Sequence, residues 1–251
     1  MFNHITTADA ISRWTDLSVK LPADLTKSLA IFDALRWVEV GHAVEFDLAD
    51  ITAANAEEKV VEFAGRLVPA LPGTGNLGRT PLEEAKQQML SEAARVVVGQ
   101  AAAAVPAIIE QLTPEFSEHA AAYVAAVDLL PEALNSDALV KAGATAVQAY
   151  ATAQHEAAYL DKVSSWVAGT RDLPGFAGLD AEPVLRVLRP SGPDQLAKLD
   201  AAHHTYNVDQ TLQAVNEVFF AAAREGIEFG INTLREAAEI RASQAITVQS
   251  L

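Results

Sequence analysis

The stretch that decides the fold is PLEEAKQQMLSEAARVVVGQAAAAVPAIIEQL, residues 81–112. Its apolar residues recur every three or four positions, which is the period of one face of an α-helix rather than the alternation of a strand. The recurring residues are Leu82, Ala85, Met89, Ala93, Val97, Ala101, Val105, Ile108 and Leu112. Immediately before them, Thr80, Pro81 and Glu83 have the pattern of a capping box with proline at the first helical position, which predicts a helix start.

The same helical period covers most of the remaining chain. Further apolar stripes lie around Trp14 and within residues 25–38, 44–68, 116–134, 139–167 and 212–229. No segment shows a convincing strand alternation, so the sequence predicts an all-α protein, a bundle of about seven or eight helices.

Several of the predicted helices are unusually long. The ranges 42–69, 81–112 and 136–168 approach or exceed twice the mean helix length, which favours an elongated bundle. Alanine supplies much of the apolar content and lets helix backbones approach closely, so we expect coiled-coil-like, alanine-rich packing. Prolines punctuate the pattern. Pro106 predicts a kink or a helix end, and Thr113-Pro114 predicts the start of a new helix.

Residues 170–194 have the composition of a connector. They hold four prolines and three glycines around a short apolar piece, whereas the sequence on both sides is helical. We predict a main helical bundle over residues 1–169, a connector with a short helix over 170–194, and a C-terminal long helix or helical hairpin over 195–251. The C-terminal part either stands alone or packs on the main bundle as one domain.

The chain is strongly acidic. Its 251 residues include 33 Asp and Glu against 18 Lys and Arg, which gives a net charge of -15 at pH 7. Such a surface repels phosphate backbones and anionic membrane surfaces, so nucleic-acid binding is not expected. The absence of cysteine excludes disulfides and thiolate metal sites.

Two sequence features bear on localisation. The longest uncharged apolar runs, 96–109 and 142–155, fall short of the ~20 residues that span a bilayer, so no stable membrane span is expected. The first residues lack the basic and apolar pattern of a signal peptide. We therefore expect a protein of the cytoplasm, or of a particle that is assembled there.

The segment PGTGNLGRTP, residues 72–81, fits two phosphate-loop patterns, one of them with Arg79 in the place of lysine. A phosphate loop follows a buried strand, but residues 60–71 continue a helical stripe. We interpret the segment as a corner between two helices, with positive φ angles at its glycines and Thr80 as the cap of the next helix. No cofactor is predicted.

The histidines offer one weak candidate site. The zinc-binding pattern H-E-x-x-H does not occur in the chain. Asp200 and His203 lie one helical turn apart, and His155 is able to approach them across a helix interface, so these three are the candidates for a metal or ligand site. A polar helix edge is the simpler interpretation, and no catalytic residue is predicted.

Three classes of function remain open. The first is a non-enzymatic helical protein that self-associates, as a structural or protein-interaction component of a phage-like virion or another large assembly. The second is a helical-bundle enzyme or a ligand- or metal-binding protein with its site near His155, Asp200 and His203. The third is a membrane-active, pore-forming bundle in which the apolar segments 96–109 and 120–130 form a hairpin.

Overall fold

The computed structural model describes residues 4–40, 47, 50–52, 54–70, 80–176, 178–179, 182–205 and 208–249. The predicted all-α fold is confirmed, with 73% helix and 2% strand. Across these described residues there are ten α-helices, somewhat more than the sequence predicts.

The elements follow one another in chain order. The first half contains α1 (His4–Ile11), a 3-10 helix (Ser12–Leu17), α2 (Ala23–Arg36), α3 (Ala56–Ala70) and α4 (Pro81–Val127). The second half contains α5 (Ser136–Ala142), α6 (Ala144–Gly169), a 3-10 helix (Thr170–Asp172), β1 (Leu188–Arg189), α7 (Pro193–His203), α8 (Gln210–Gln213), α9 (Glu217–Arg224), β2 (Glu228–Phe229) and α10 (Leu234–Gln249).

The chain divides into two compact units. Unit 1 consists of Met1–Ser12 and Pro22–Ala101, and unit 2 consists of Arg13–Leu21 and Ala102–Leu251. Helix α4 therefore supplies its first part to unit 1 and its remainder to unit 2. The Pro- and Gly-rich segment 170–194 lies wholly within unit 2. The three-part division proposed from the sequence stays a prediction.

Helix α4 begins as predicted and ends much later. The N–H of Thr80 donates to Glu83 Oε2 at 2.8 Å and the N–H of Glu83 donates to Thr80 Oγ1 at 3.2 Å, so the capping box is confirmed. The predicted helix start at Thr113-Pro114 is wrong, because α4 continues through both Pro106 and Pro114.

The packing of α4 explains why its prolines do not end it. An unbroken buried stripe spans both prolines and is made of Val105, Ile108, Leu112, Phe116, Ala120 and Tyr123. Side-chain hydrogen bonds also satisfy carbonyl groups near Pro114, since Thr113 Oγ1 donates to the carbonyl of Ile109 at 2.7 Å. Tertiary burial thus outweighs the local cost of proline.

The helix predicted over residues 136–168 is divided in two. Gly143 takes a φ of 86°, a left-handed conformation that suits glycine, and it separates α5 from α6. The side chain of Asn135 caps α5 by accepting a hydrogen bond from the N–H of Ala138 at 2.9 Å. The helical period alone did not reveal this break.

The C-terminal region forms four helices, α7 to α10, rather than the predicted long helix or hairpin. Asn216 and Gly226 both have a φ of 63° and bound α9 on either side. Strands β1 and β2 pair antiparallel, with Leu188 opposite Phe229. Within residues 170–194 the structure has a 3-10 helix, Thr170–Asp172, and strand β1.

The core of unit 2 joins segments that are distant in sequence. Tyr123 is fully buried, its hydroxyl donates to the carbonyl of Val215 at 2.7 Å, and its ring lies 6.2 Å from that of Phe219. The segment Arg13–Leu21 belongs to this core, because Trp14 packs edge-on against Trp166 with ring centroids 5.6 Å apart.

Further bonds hold the segment Arg13–Leu21 in unit 2. The N–H of Lys20 donates to Gln111 Oε1 at 2.9 Å, and Lys162 Nζ donates to the carbonyl of Asp16 at 2.6 Å. This segment thus acts as a strap that contacts both α4 and α6.

Candidate functional site

The structure gives other partners to the three residues proposed for a metal or ligand site. The carboxylate of Asp200 accepts two hydrogen bonds from Arg241, at 2.5 and 3.0 Å, and Arg241 also contacts Glu182 at 2.9 Å. This bidentate pair occupies both oxygens of Asp200. The ion pair between Asp200 and Arg241 holds α10 against α7, so Asp200 has a structural role.

The two candidate histidines have other neighbours. The ring of His203 lies edge-on to that of His204, with centroids 5.3 Å apart, and His155 is exposed beside His119 at 6.5 Å. Within the part of the chain that the structure describes, no three His, Cys, Asp or Glu side chains are arranged to hold a metal ion. The predicted cluster of His155, Asp200 and His203 is therefore not assembled.

A polar cluster that the sequence analysis missed lies between α4 and α6. Glu156 is buried, and one of its carboxylate oxygens bonds to Nδ1 of His119. The ring of Tyr159 stacks on His119 with centroids 3.8 Å apart, and Glu115 Oε1 lies 3.8 Å from His119 Nε2. The spacing of Glu115 and His119 marks one face of α4, but nothing in the sequence indicates the partners from α6.

This cluster has the elements of proton-transfer chemistry. A buried carboxylate that holds one imidazole nitrogen fixes the ring and leaves the other nitrogen to face a reactant. The side chain of His119 is 25% exposed, and its Nε2 faces Glu115. Burial, together with the negative charge of Glu115, raises the pKa of Tyr159 to about 12. Tyr159 is therefore protonated at neutral pH.

A second feature is the uneven distribution of exposed apolar side chains. Eight of the eleven large hydrophobic side chains that are exposed among the described residues belong to unit 1. These eight are Ile31, Trp37, Val38, Val60, Val61, Leu82, Met89 and Val96. Large exposed apolar patches on soluble proteins usually mark interaction sites.

Three of these residues form a regular row on α4, which we name the α4 stripe: Leu82, Met89 and Val96. They are spaced by seven residues, close to two helical turns, and therefore share one face of the helix. Met89 is 57% exposed. A seven-residue apolar repeat is the pattern of a helix seam that packs against another helix.

The end of α2 extends the α4 stripe. Lys86 Nζ donates to the carbonyl of Val38 at 2.7 Å, which fixes Val38 beside the first turns of α4. The neighbouring Trp37 is 73% exposed, although its Nε1 donates to Asp33 Oδ1 at 3.2 Å. Tryptophan and methionine are both enriched in protein interfaces.

Helix α3 is also incompletely packed. It has an apolar face, yet none of the side chains described in this helix is buried. Val60 and Phe63 line a groove of ≈ 190 Å³ together with Ile51, and charged side chains surround it. Small-molecule pockets usually measure ~300–1,000 Å³, so this groove suits a single side chain of a partner.

The hairpin proposed for a pore-forming protein does not exist in this fold. Residues 96–109 and 120–127 belong to the same continuous helix, α4, so no turn joins them. Among the described helices, α4 alone has the length and apolar content to cross a membrane, and 39% of its most apolar window is buried. Core helices of soluble proteins have the same properties, so the predicted absence of a membrane span stays a prediction.

Comparison with protein-family models, with curated proteins and with solved structures found no match to this chain.

Proposed function

We propose that this is a non-enzymatic helical protein that works by self-association through unit 1, as a component of a larger assembly. The observation that carries the proposal is the concentration of exposed apolar side chains in unit 1. Unit 2 belongs to the same acidic chain but exposes only three of the eleven large apolar side chains, so the exposure is concentrated in one region.

The energetic argument is the cost of leaving such side chains in water. Burial of apolar surface gains roughly 25 cal/mol per Å², and a large aromatic side chain contributes 150–250 Å² when it is covered. Because Trp37 is 73% exposed, covering it with a partner offers on the order of 4 kcal/mol before the costs of association are subtracted. Such residues dominate the affinity of known interfaces.

Light scattering coupled to size-exclusion chromatography tests the proposal on the full chain. The expected result is a mass above that of the monomer, and a fraction of oligomer that rises with protein concentration. Added salt screens the repulsion between chains of net charge -15, so it should strengthen the association. A monomer from micromolar to near-millimolar concentration, at low and high salt alike, would contradict the proposal.

A second candidate function is supported by the polar cluster on α4 and α6. Because Glu156 is buried and holds His119, the pair is suited to general-base or nucleophilic catalysis on an activated carbonyl. Hydrolysis of p-nitrophenyl acetate tests it, with the exposed His203 as a matched control. We expect His119→Ala to abolish the activity and Glu156→Gln to lower it, while His203→Ala leaves it unchanged. Equal losses in the His119 and His203 variants would contradict this function.

A further inference from the structure

We propose that the α4 stripe is the seam of this self-association: two copies of the chain pack helix α4 against helix α4 between Leu82 and Val96, with Trp37 at the edge of the contact. This inference rests on the proposed function and specifies where the second copy binds.

The first argument is the geometry of the stripe. Leu82, Met89 and Val96 repeat every seven residues, and a repeat of this length keeps a seam in contact over several turns. Ala85 and Ala93 lie between them on the same side of α4, and their small side chains permit a close approach of two helices. A neighbouring face of α4, about 100° around the helix from the stripe, is already occupied, because Leu90, Ala94 and Val97 are buried.

The second argument is charge, and it selects a second copy as the partner. Lys86 borders Met89 on one side and Glu92 borders it on the other, and Glu92 also pairs with Arg95 at 2.6 Å. The surroundings of the stripe are therefore nearly neutral on a chain of net charge -15. Two copies that meet here avoid the repulsion that most other faces would create, and a basic partner would gain little attraction.

The size of the surface sets the expected strength. A standard interface takes about 20–30 residues from each partner. The α4 stripe with the end of α2 supplies five exposed large apolar side chains, so the contact is small by this standard. We therefore expect a weak, concentration-dependent dimer with a dissociation constant on the order of micromolar or higher. A larger assembly would need contacts beyond this seam.

Cross-linking is a direct test, because the natural chain contains no cysteine. Leu82→Cys, Met89→Cys and Val96→Cys each place a single thiol on the stripe, and Glu84→Cys places one about 140° around the helix as a control. Under mild oxidation we expect disulfide-linked dimers from stripe positions and far fewer from the control. Cross-links at all three positions indicate parallel helices, and a link between Leu82→Cys and Val96→Cys chains indicates antiparallel helices.

Absence of stripe-specific cross-links in every combination would overturn the inference, as would equal cross-linking by Glu84→Cys. A urea-denatured sample measures the background from random collision. The exposed positions of the stripe residues keep these variants foldable, which circular dichroism checks.

A charge substitution gives an independent readout. Met89→Lys places like charges at the centre of the seam, and we expect the dissociation constant to rise about tenfold or more. Glu84→Lys introduces lysine on the other side of the same helix and should leave the association equal or stronger. If the natural chain dimerises and Met89→Lys dimerises equally well, the α4 stripe is not the contact surface, but the proposed self-association stands. If the natural chain is monomeric, both are wrong.

Discussion

The two units of this protein differ in how many of their large side chains they bury. Among the described residues, the buried aromatic side chains of unit 2 are Trp14, Phe116, Tyr123, Trp166, Phe219 and Phe220, whereas unit 1 buries only Phe32. Unit 1 instead exposes Trp37 and the α4 stripe. Unit 2 therefore has the larger buried aromatic core, and unit 1 carries most of the exposed apolar surface that the proposed self-association would cover.

The largest expected contrast is between Tyr123 and Trp37. Tyr123→Ala removes a fully buried ring and its hydrogen bond to Val215, so we expect a loss of about 3–5 kcal/mol in the free energy of unfolding. Trp37→Ala should change it by less than about 0.5 kcal/mol at low protein concentration. Urea unfolding followed by circular dichroism measures both. Similar losses of unfolding free energy in the two variants would contradict the contrast between the two units.

We expect a smaller loss of unfolding free energy when the buried side-chain amide of Asn232, which bonds to β1, is removed. Asn232 is 1% exposed, donates to the carbonyls of Leu185 and Leu188, and accepts from Arg189 Nε at 2.8 Å. Asn232→Leu leaves these groups without a partner, so we expect a loss of about 2–3 kcal/mol. The exposed Gln213→Leu is a control. A neutral effect of Asn232→Leu would show that water replaces the amide.

The two capping boxes allow a matched test of the two units. Thr80 and Glu83 cap α4 in unit 1, and Thr233 and Glu236 cap α10 in unit 2 with the same pair of bonds. Each threonine-to-alanine substitution should cost about 1 kcal/mol.

The unfolding transition in which each loss appears shows whether the two units unfold separately. If unit 1 unfolds separately, Thr80→Ala shifts an early transition and Thr233→Ala a later one. A single transition that both variants shift equally would show that the units unfold together.

The smallest expected effect is at alkaline pH. Because the pKa of Tyr159 is raised to about 12, from about 10 in an unfolded chain, the folded state keeps this proton longer. Its contribution to stability is complete below pH ~10 and is lost as the pH rises through the folded pKa. An absorbance titration of Tyr159→Phe should lack a late phenolate step that the natural chain shows. Identical titration curves would contradict this assignment.

The sequence predicts the fold class and the start of α4, because helical period and capping are local properties. It does not predict that α4 continues past Pro114, since the buried stripe that keeps the helix intact depends on tertiary packing. The break at Gly143 was also missed, because the apolar period continues across it. The glycines of the corner at 72–81 lie outside the described residues, and helix α3 rather than a strand precedes that corner.

The candidate sites also depend on tertiary contacts that the sequence does not reveal. Asp200 and His203 do share a helix, as their spacing indicates, but Asp200 is paired with Arg241 from α10, which no local pattern reveals. The contact of His119 with Glu156 joins residues that are 37 positions apart. Leu82 and Met89 belong to the helical period that the sequence shows, but only the structure reveals that they and Val96 are exposed while Val97 is buried.

The strap at residues 13–21 limits the order in which the parts of this protein can fold during synthesis. Asp16 and Lys162 are 146 residues apart, so the strap leaves the ribosome long before its partners on α6 exist. At ~5–20 residues per second, Trp14 waits on the order of 10–30 s for Trp166, and residues 22–101 of unit 1 are synthesised during that time. During that interval Trp14 lacks its contact with Trp166, and unit 2 is completed only after the segments of unit 1 have been made.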